Sequence, residues 1–201
     1  IAAVSASSLL SGVIGGAGRW SSTPAVIFAT GMCVAVARVS QWHPHRQFGP
    51  ANTITSLRLL LTALVWGLVV EAPSDAAAAA AVVVSIVATA LDGVDGRLAR
   101  SSGLASPFGA RFDMEVDALL ILALSVLAWS QDKAGPWVLA SGLMRYVFVA
   151  GGWLAPWLSH PLPPSRRRQT TCVLQVVALV VTIAPVMHRP ASAAVAAAAL
   201  A

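Results

Sequence analysis

The chain has 201 residues, of which 57% are apolar and 10% charged, with a formal net charge of +5 and a mean hydropathy of +0.77. This composition excludes an ordinary soluble domain and describes a protein surrounded by lipid. The basic residues are scattered among apolar runs without an aromatic-interleaved patch, so the positive balance points to a membrane topology bias and no nucleic-acid partner is expected.

In chain order, residues 1–18 and 24–38 form two apolar runs followed by the polar "RVSQWHPHRQFGP". They read as an extra transmembrane hairpin or as an interfacial amphipathic element, and together make an N-terminal hydrophobic extension over 1–48. From 49 to 201 the pattern is that of one membrane domain. Six apolar segments, at about 53–71, 75–91, 112–131, 134–158, 169–187 and 191–201, predict six core transmembrane helices. The fold class is therefore all-α, a polytopic transmembrane helix bundle. The connectors "EAPSD", "QDKAGP" and "MHRP" are short and nearly charge-balanced, whereas the 92–111 segment and "SHPLPPSRRRQ" are longer and carry Arg97, Arg100, Arg111, Arg166, Arg167 and Arg168. The positive-inside rule puts the arginine-rich connectors on the cytoplasmic side.

His43 and His45 fall in a connector and read as solvated, and His160 and His188 lie in polar connectors at span ends. Cys33 and Cys172 lie far apart in apolar runs and read as small core residues without a disulfide or a metal. Trp20, Trp66, Trp129, Trp137 and Trp157 lie near predicted span ends, where indoles anchor a helix at the interface.

The stretch "ALDGVDGRLARSSGLASPFGARFDMEVD" breaks this apolar pattern, for it holds five of the eight acidic residues. Asp92 and Asp95 are three residues apart, and Asp113 and Asp117 four apart, so each pair shares a helix face. Two such faces opposed make a four-carboxylate cluster, from which Glu115 is rotated away. A carboxylate near hydrocarbon costs about 3 kcal/mol on insertion scales. Like charges in close array also call for a compensating cation. Hard divalent ions with oxygen ligands meet that need. The plainer reading makes these acids solvated interfacial residues paired with Arg97, Arg100 and Arg111. Gly96 and Gly109 each lie one turn from a carboxylate and allow close ligand approach, and Arg100 offers a fork for phosphate.

This segment resembles the signature of the CDP-alcohol phosphotransferase family, D-x-x-D-G-x-x-A-R-x8-G-x3-D-x3-D. Asp92, Asp95, Gly96, Ala99, Arg100, Gly109, Asp113 and Asp117 fill it without a mismatch. "NTITSLR", with Asn52, Thr55 and Arg58, is similar to the opening of that family's first helix. "SRRRQTTCVLQ" is similar to its "GKxKTxxxQ" segment, with Arg166, Arg167 and Gln169 in place of the glycine and the two lysines and Thr170 retained.

The resemblance implies a phospholipid-synthesis transferase that moves a substituted phosphate from a CDP-alcohol, CDP-diacylglycerol above all, to a hydroxyl acceptor, releasing CMP. It implies divalent metal, Mg²⁺ or Mn²⁺ and two ions, on Asp92, Asp95, Asp113 and Asp117, with Asp117 also the general base. Asn52, Thr55, Arg58, Gly96, Ala99, Arg100 and Gly109 would bind the CDP moiety. Arg145, Arg166, Arg167, Arg168 and Thr170 are candidates for the acceptor, a small polar alcohol or alcohol phosphate. Arg145 falls mid-span and is followed by Tyr146, where relatives using glycerol phosphate often carry Arg-Glu, so an acceptor such as inositol phosphate stays open. The arginine run has two further readings, as a lipid-headgroup contact or as a purely topogenic signal. The implied protein is integral to the cell membrane, with its active site at the cytoplasmic face and a homodimer permitted. Two other classes compete: a divalent-cation transporter using the aspartates as its ion site, and a non-catalytic member of the same fold.

Overall fold

The computed structural model describes residues 22–42, 48–102, 104, 106–155 and 166–200, with the side chains of a few helical residues left aside. These residues are all-helical, with no strand among them. Seven α-helices follow in order: α1 Thr23–Trp42, α2 Pro50–Val69, α3 Asp75–Ser102, α4 Pro107–Ser130, α5 Leu139–Leu154, α6 Arg166–Ile183 and α7 Arg189–Leu200, with a 3₁₀ turn at Pro136–Val138 before α5. The chain divides into two compact units, Ile1–Leu120 and Ile121–Ala201, the division falling inside α4.

In the first unit the helix starts are written in the local sequence. Gly49 has φ of 80°, a left-handed conformation that glycine adopts without strain, and Pro50 then suits the first turn of α2. The Ser74 hydroxyl accepts from Ala77 N at 3.1 Å and opens α3, with Asp75 in the first turn favouring the helix dipole. Ser106 accepts from Gly109 N at 3.1 Å and, with Pro107, opens α4.

The helix α1 packs on α2, and α2 on α3. An apolar cluster of Ala35, Leu59, Phe108, Phe112 and Val116, flanked by Phe28, Met32, Val39, Phe48 and Leu119, joins α1 to α2 and α4. Phe108 and Phe112 stack at 5.7 Å between centroids. Gly31 brings α1 close: a Cβ there would lie 2.8 Å from Leu59 Cδ2. The Trp66 indole N–H donates to Leu119 O at 3.2 Å, so this residue fastens α2 to α4.

In the second unit Ser125 and Ser141 share a hydrogen bond of 2.7 Å beside the contact of Gly142 with Leu122, whose Cα would lie 2.5 Å from an added Cβ. Lys133 Nζ donates to Ala184 O and Met187 O, satisfying carbonyls at the end of α6. Arg189 and Asp132 form an exposed ion pair at 2.7 Å.

Helices lie at all six expected places in the 49–201 region, but among the described residues two of them, α2 and α3 (as far as Leu98), are long and apolar enough to cross a membrane. The first turns of α4 carry Arg111, Asp113, Glu115 and Asp117, and α5 and α7 are 16 and 12 residues long. Two expectations change. The 92–111 connector is helical as far as Ser102, so Asp92 and Asp95 stand on an unbroken helix. Cys33 is exposed and not in the core, because Gly31 and Ala35, two residues either side, turn the opposite face of α1 toward Leu59. Residues 1–18, His43, His45, His160, Trp20 and Trp157 lie outside the described residues.

Candidate active site

Asn52, Thr55 and Arg58 recur every three residues along one buried face of α2. Arg58 is 1% exposed, in the middle of the apolar run "TSLRLLLTALVW". A guanidinium so placed must find partners, since burying an unpaired charge is prohibitive. Its partners are the signature aspartates. Nη1 donates to Asp95 Oδ2 at 2.9 Å and to Asp113 Oδ1, Nη2 donates to Asp117 Oδ1, and Nη1 also forms an ion pair with Asp92 Oδ1 at 2.9 Å. The Nε–H donates to Ala88 O on α3 at 3.2 Å. Arg58 thus ties α2 to α3 and α4 through charge-assisted bonds.

The two helix faces behave as the spacing requires. Asp92 and Asp95 come from the last turns of α3, Asp113 and Asp117 from the first turns of α4, and Glu115 is exposed. Asp95 is the most buried of the four, and the Thr55 hydroxyl lies 3.2 Å from its Oδ2 and 3.1 Å from Ala51 O, with one proton to share between them. Asp92, Asp95 and Asp113 bring one oxygen each within 4.8 Å of one another. Asp117 joins the group through Arg58 Nη2. One guanidinium faces four carboxylates, an excess of negative charge that calls for further positive charge.

The donor set fits a hard divalent cation. All three clustered donors are carboxylate oxygens, as Mg²⁺ and Mn²⁺ prefer, and ligands at about 2.1 Å put opposed oxygens about 4.2 Å apart, a small contraction from the observed spread.

Gly109 lies against a side chain of α2. A Cβ there would lie 2.8 Å from Asn52 Oδ1, so the glycine admits the Asn52 side chain, whose Nδ2 donates to Phe48 O. This glycine is a close-packing position between α2 and α4. Gly96 is half-buried on α3, and a Cβ on Gly93 would meet nothing within 4 Å. Ala99 and Arg100 continue α3, but their side chains lie outside the description. Of the acceptor candidates, Arg145 is half-buried in α5 and Thr170 exposed in α6, both in the second unit. Arg166, Arg167 and Arg168 open α6, again without described side chains.

Sequence reasoning gave Arg58 to the nucleotide and missed its place among the carboxylates. The available signal was a lone charge at the centre of an apolar helix, which must face an interior partner.

Comparison with curated proteins and with solved structures gives no match. The sequence model of the CDP-alcohol phosphatidyltransferase family matches residues 48–201, which takes in α2 to α7 and every residue of the cluster. With that match over most of its length and the signature aspartates gathered at one point, the chain belongs to the CDP-alcohol phosphatidyltransferase family.

Proposed function

We propose that the protein transfers the substituted phosphate of CDP-diacylglycerol to the hydroxyl of a small polar alcohol or alcohol phosphate, releasing CMP at the cytoplasmic face of the membrane. The observation that carries this reading is the convergence of Asp92, Asp95, Asp113 and Asp117, from two helices, on the buried Arg58. Family membership supports phosphate-group transfer from a CDP-alcohol.

Asp92, Asp95 and Asp113, with Asp117 beside them, would hold two divalent ions, Mg²⁺ or Mn²⁺. When bound, such ions polarise the phosphoryl oxygens and neutralise the charge that develops on the departing CMP. Asp117 takes the proton from the acceptor hydroxyl. The freed oxygen attacks the phosphorus remote from cytidine, a new P–O bond forms, the pyrophosphate P–O bond breaks, and CMP carries the bonding pair away. Asn52, Thr55, Arg58, Gly96, Ala99, Arg100 and Gly109 are the residues assigned to the CDP moiety, with Gly109 acting by seating Asn52 against α4. Arg145, Arg166, Arg167, Arg168 and Thr170 serve the acceptor, the guanidinium fork suiting a phosphate.

The test is CMP release by the purified protein with CDP-diacylglycerol, Mg²⁺ or Mn²⁺, and a panel of glycerol phosphate, inositol phosphate, inositol and serine. Release that depends on one acceptor establishes both class and substrate. No release with any acceptor, from protein that binds the donor, contradicts the reading.

A further inference from the structure

Arg58 holds a place that the proposed chemistry needs for something else. Its Nη1 lies 2.9 Å from Asp92 Oδ1 and 2.9 Å from Asp95 Oδ2 and is bonded to Asp113 Oδ1. Those three residues are also the ones whose oxygens gather closely enough to ligate a cation. A divalent ion about 2.1 Å from each oxygen would lie where this nitrogen lies. The two cannot coexist there. A guanidinium has no lone pair to offer a metal and does not lose its proton in a protein, so it cannot become a ligand or surrender its charge.

Resting on the metal reading above, we propose that Arg58 and the divalent ion are alternative occupants of the same three carboxylate oxygens. Arg58 is then a built-in counter-cation that keeps the carboxylates gathered, and the ion displaces Nη1 when it binds. Two further contacts of the side chain lie outside the shared slot: Nε on Ala88 O and Nη2 on Asp117. The guanidinium is a rigid plane, so on withdrawing Nη1 it keeps one of these contacts as a pivot and gives up the other. Arg58 on this account is a positioning residue whose cost falls on metal affinity, because a positive charge beside the slot opposes a second one.

The experiment titrates Mn²⁺ alone into full-length, nucleotide-free protein and reads free Mn²⁺ by electron paramagnetic resonance. Arg58→Gln should bind Mn²⁺ about ten-fold or more tightly than the wild type. Adding Asp95→Asn to that variant should cancel the gain, and a gain that survives it overturns the proposal by placing the ion elsewhere. Equal or weaker binding by Arg58→Gln, with wild-type binding intact, overturns the exchange and leaves the metal reading standing. Failure of both proteins to bind overturns the metal reading and the exchange together. Should Arg58→Gln not fold, the wild type carries the test through its arginine side-chain nitrogen resonances. The Arg58 Nη signals should change on saturation with Mg²⁺, and unchanged signals at saturation overturn the proposal.

Discussion

Asp95 is 5% exposed and takes hydrogen bonds from both Arg58 and Thr55, so its carboxylate has the least room to be replaced by water. Asp95→Asn keeps the shape and loses the charge, and should abolish CMP release while the protein remains extractable and folded. Asp117→Asn should act differently. Loss of a general base costs roughly 10² to 10⁴ in rate, while stabilisation of the protein by CDP-diacylglycerol should largely survive, because the other three aspartates remain. Loss of donor binding in that variant would make Asp117 chiefly a metal ligand. Arg145→Ala should raise the KM for a phosphorylated acceptor about ten- to one-hundred-fold, the worth of one charge-assisted hydrogen bond, and leave the donor KM unchanged. Gly109 and Asn52 form a testable pair. Gly109→Ala drives a methyl to 2.8 Å from Asn52 Oδ1 and should cost about 1–3 kcal/mol, and Asn52→Ala in the same chain should recover much of that loss in thermal unfolding.

Among the elements, α3 starts at Asp75 as expected, whereas α2 and α4 start at Pro50 and Pro107, ahead of the apolar segments expected from about 53 and 112, because Gly49–Pro50 and Ser106–Pro107 open the helix before its apolar run begins. The far end of α3 was not legible. Residues 92–102 hold two glycines, two aspartates and two serines, a composition that reads as a connector. There the Arg58 pairs with Asp92 and Asp95 come from a helix more than 30 residues earlier, so a tertiary contact outweighs local propensity. The carboxylate pairs themselves were legible, since spacings of three and four need only helix geometry. Arg58's partners and the Asn52–Gly109 contact were not, for no local pattern links residues so far apart. The helix α1, outside the family match, packs through Ala35 on the cluster containing Leu59, Phe108 and Phe112. Phe112→Ala should lower the melting temperature and slow CMP release, since Phe112 precedes Asp113. The loss should fall below the 3–5 kcal/mol typical of an aqueous core, because lipid competes with helix packing for the same apolar surface.

For the molecule as a whole, the composition, the two membrane-length helices and the family agree on a membrane transferase. Because a ligand that binds only the native state must stabilise it, CDP-diacylglycerol with Mn²⁺ should raise the melting temperature, by about 2.7 kcal/mol of added stability at one hundred times Kd. An ion site without nucleotide specificity would respond to Mn²⁺ and ignore the donor. The most direct measurement is CMP release from CDP-diacylglycerol and the preferred acceptor, compared between the wild type and Asp113→Asn at equal protein and saturating Mg²⁺. Turnover by the wild type and none by the variant is the predicted result. Undiminished turnover by Asp113→Asn would contradict the assignment of the four-aspartate cluster as the catalytic centre.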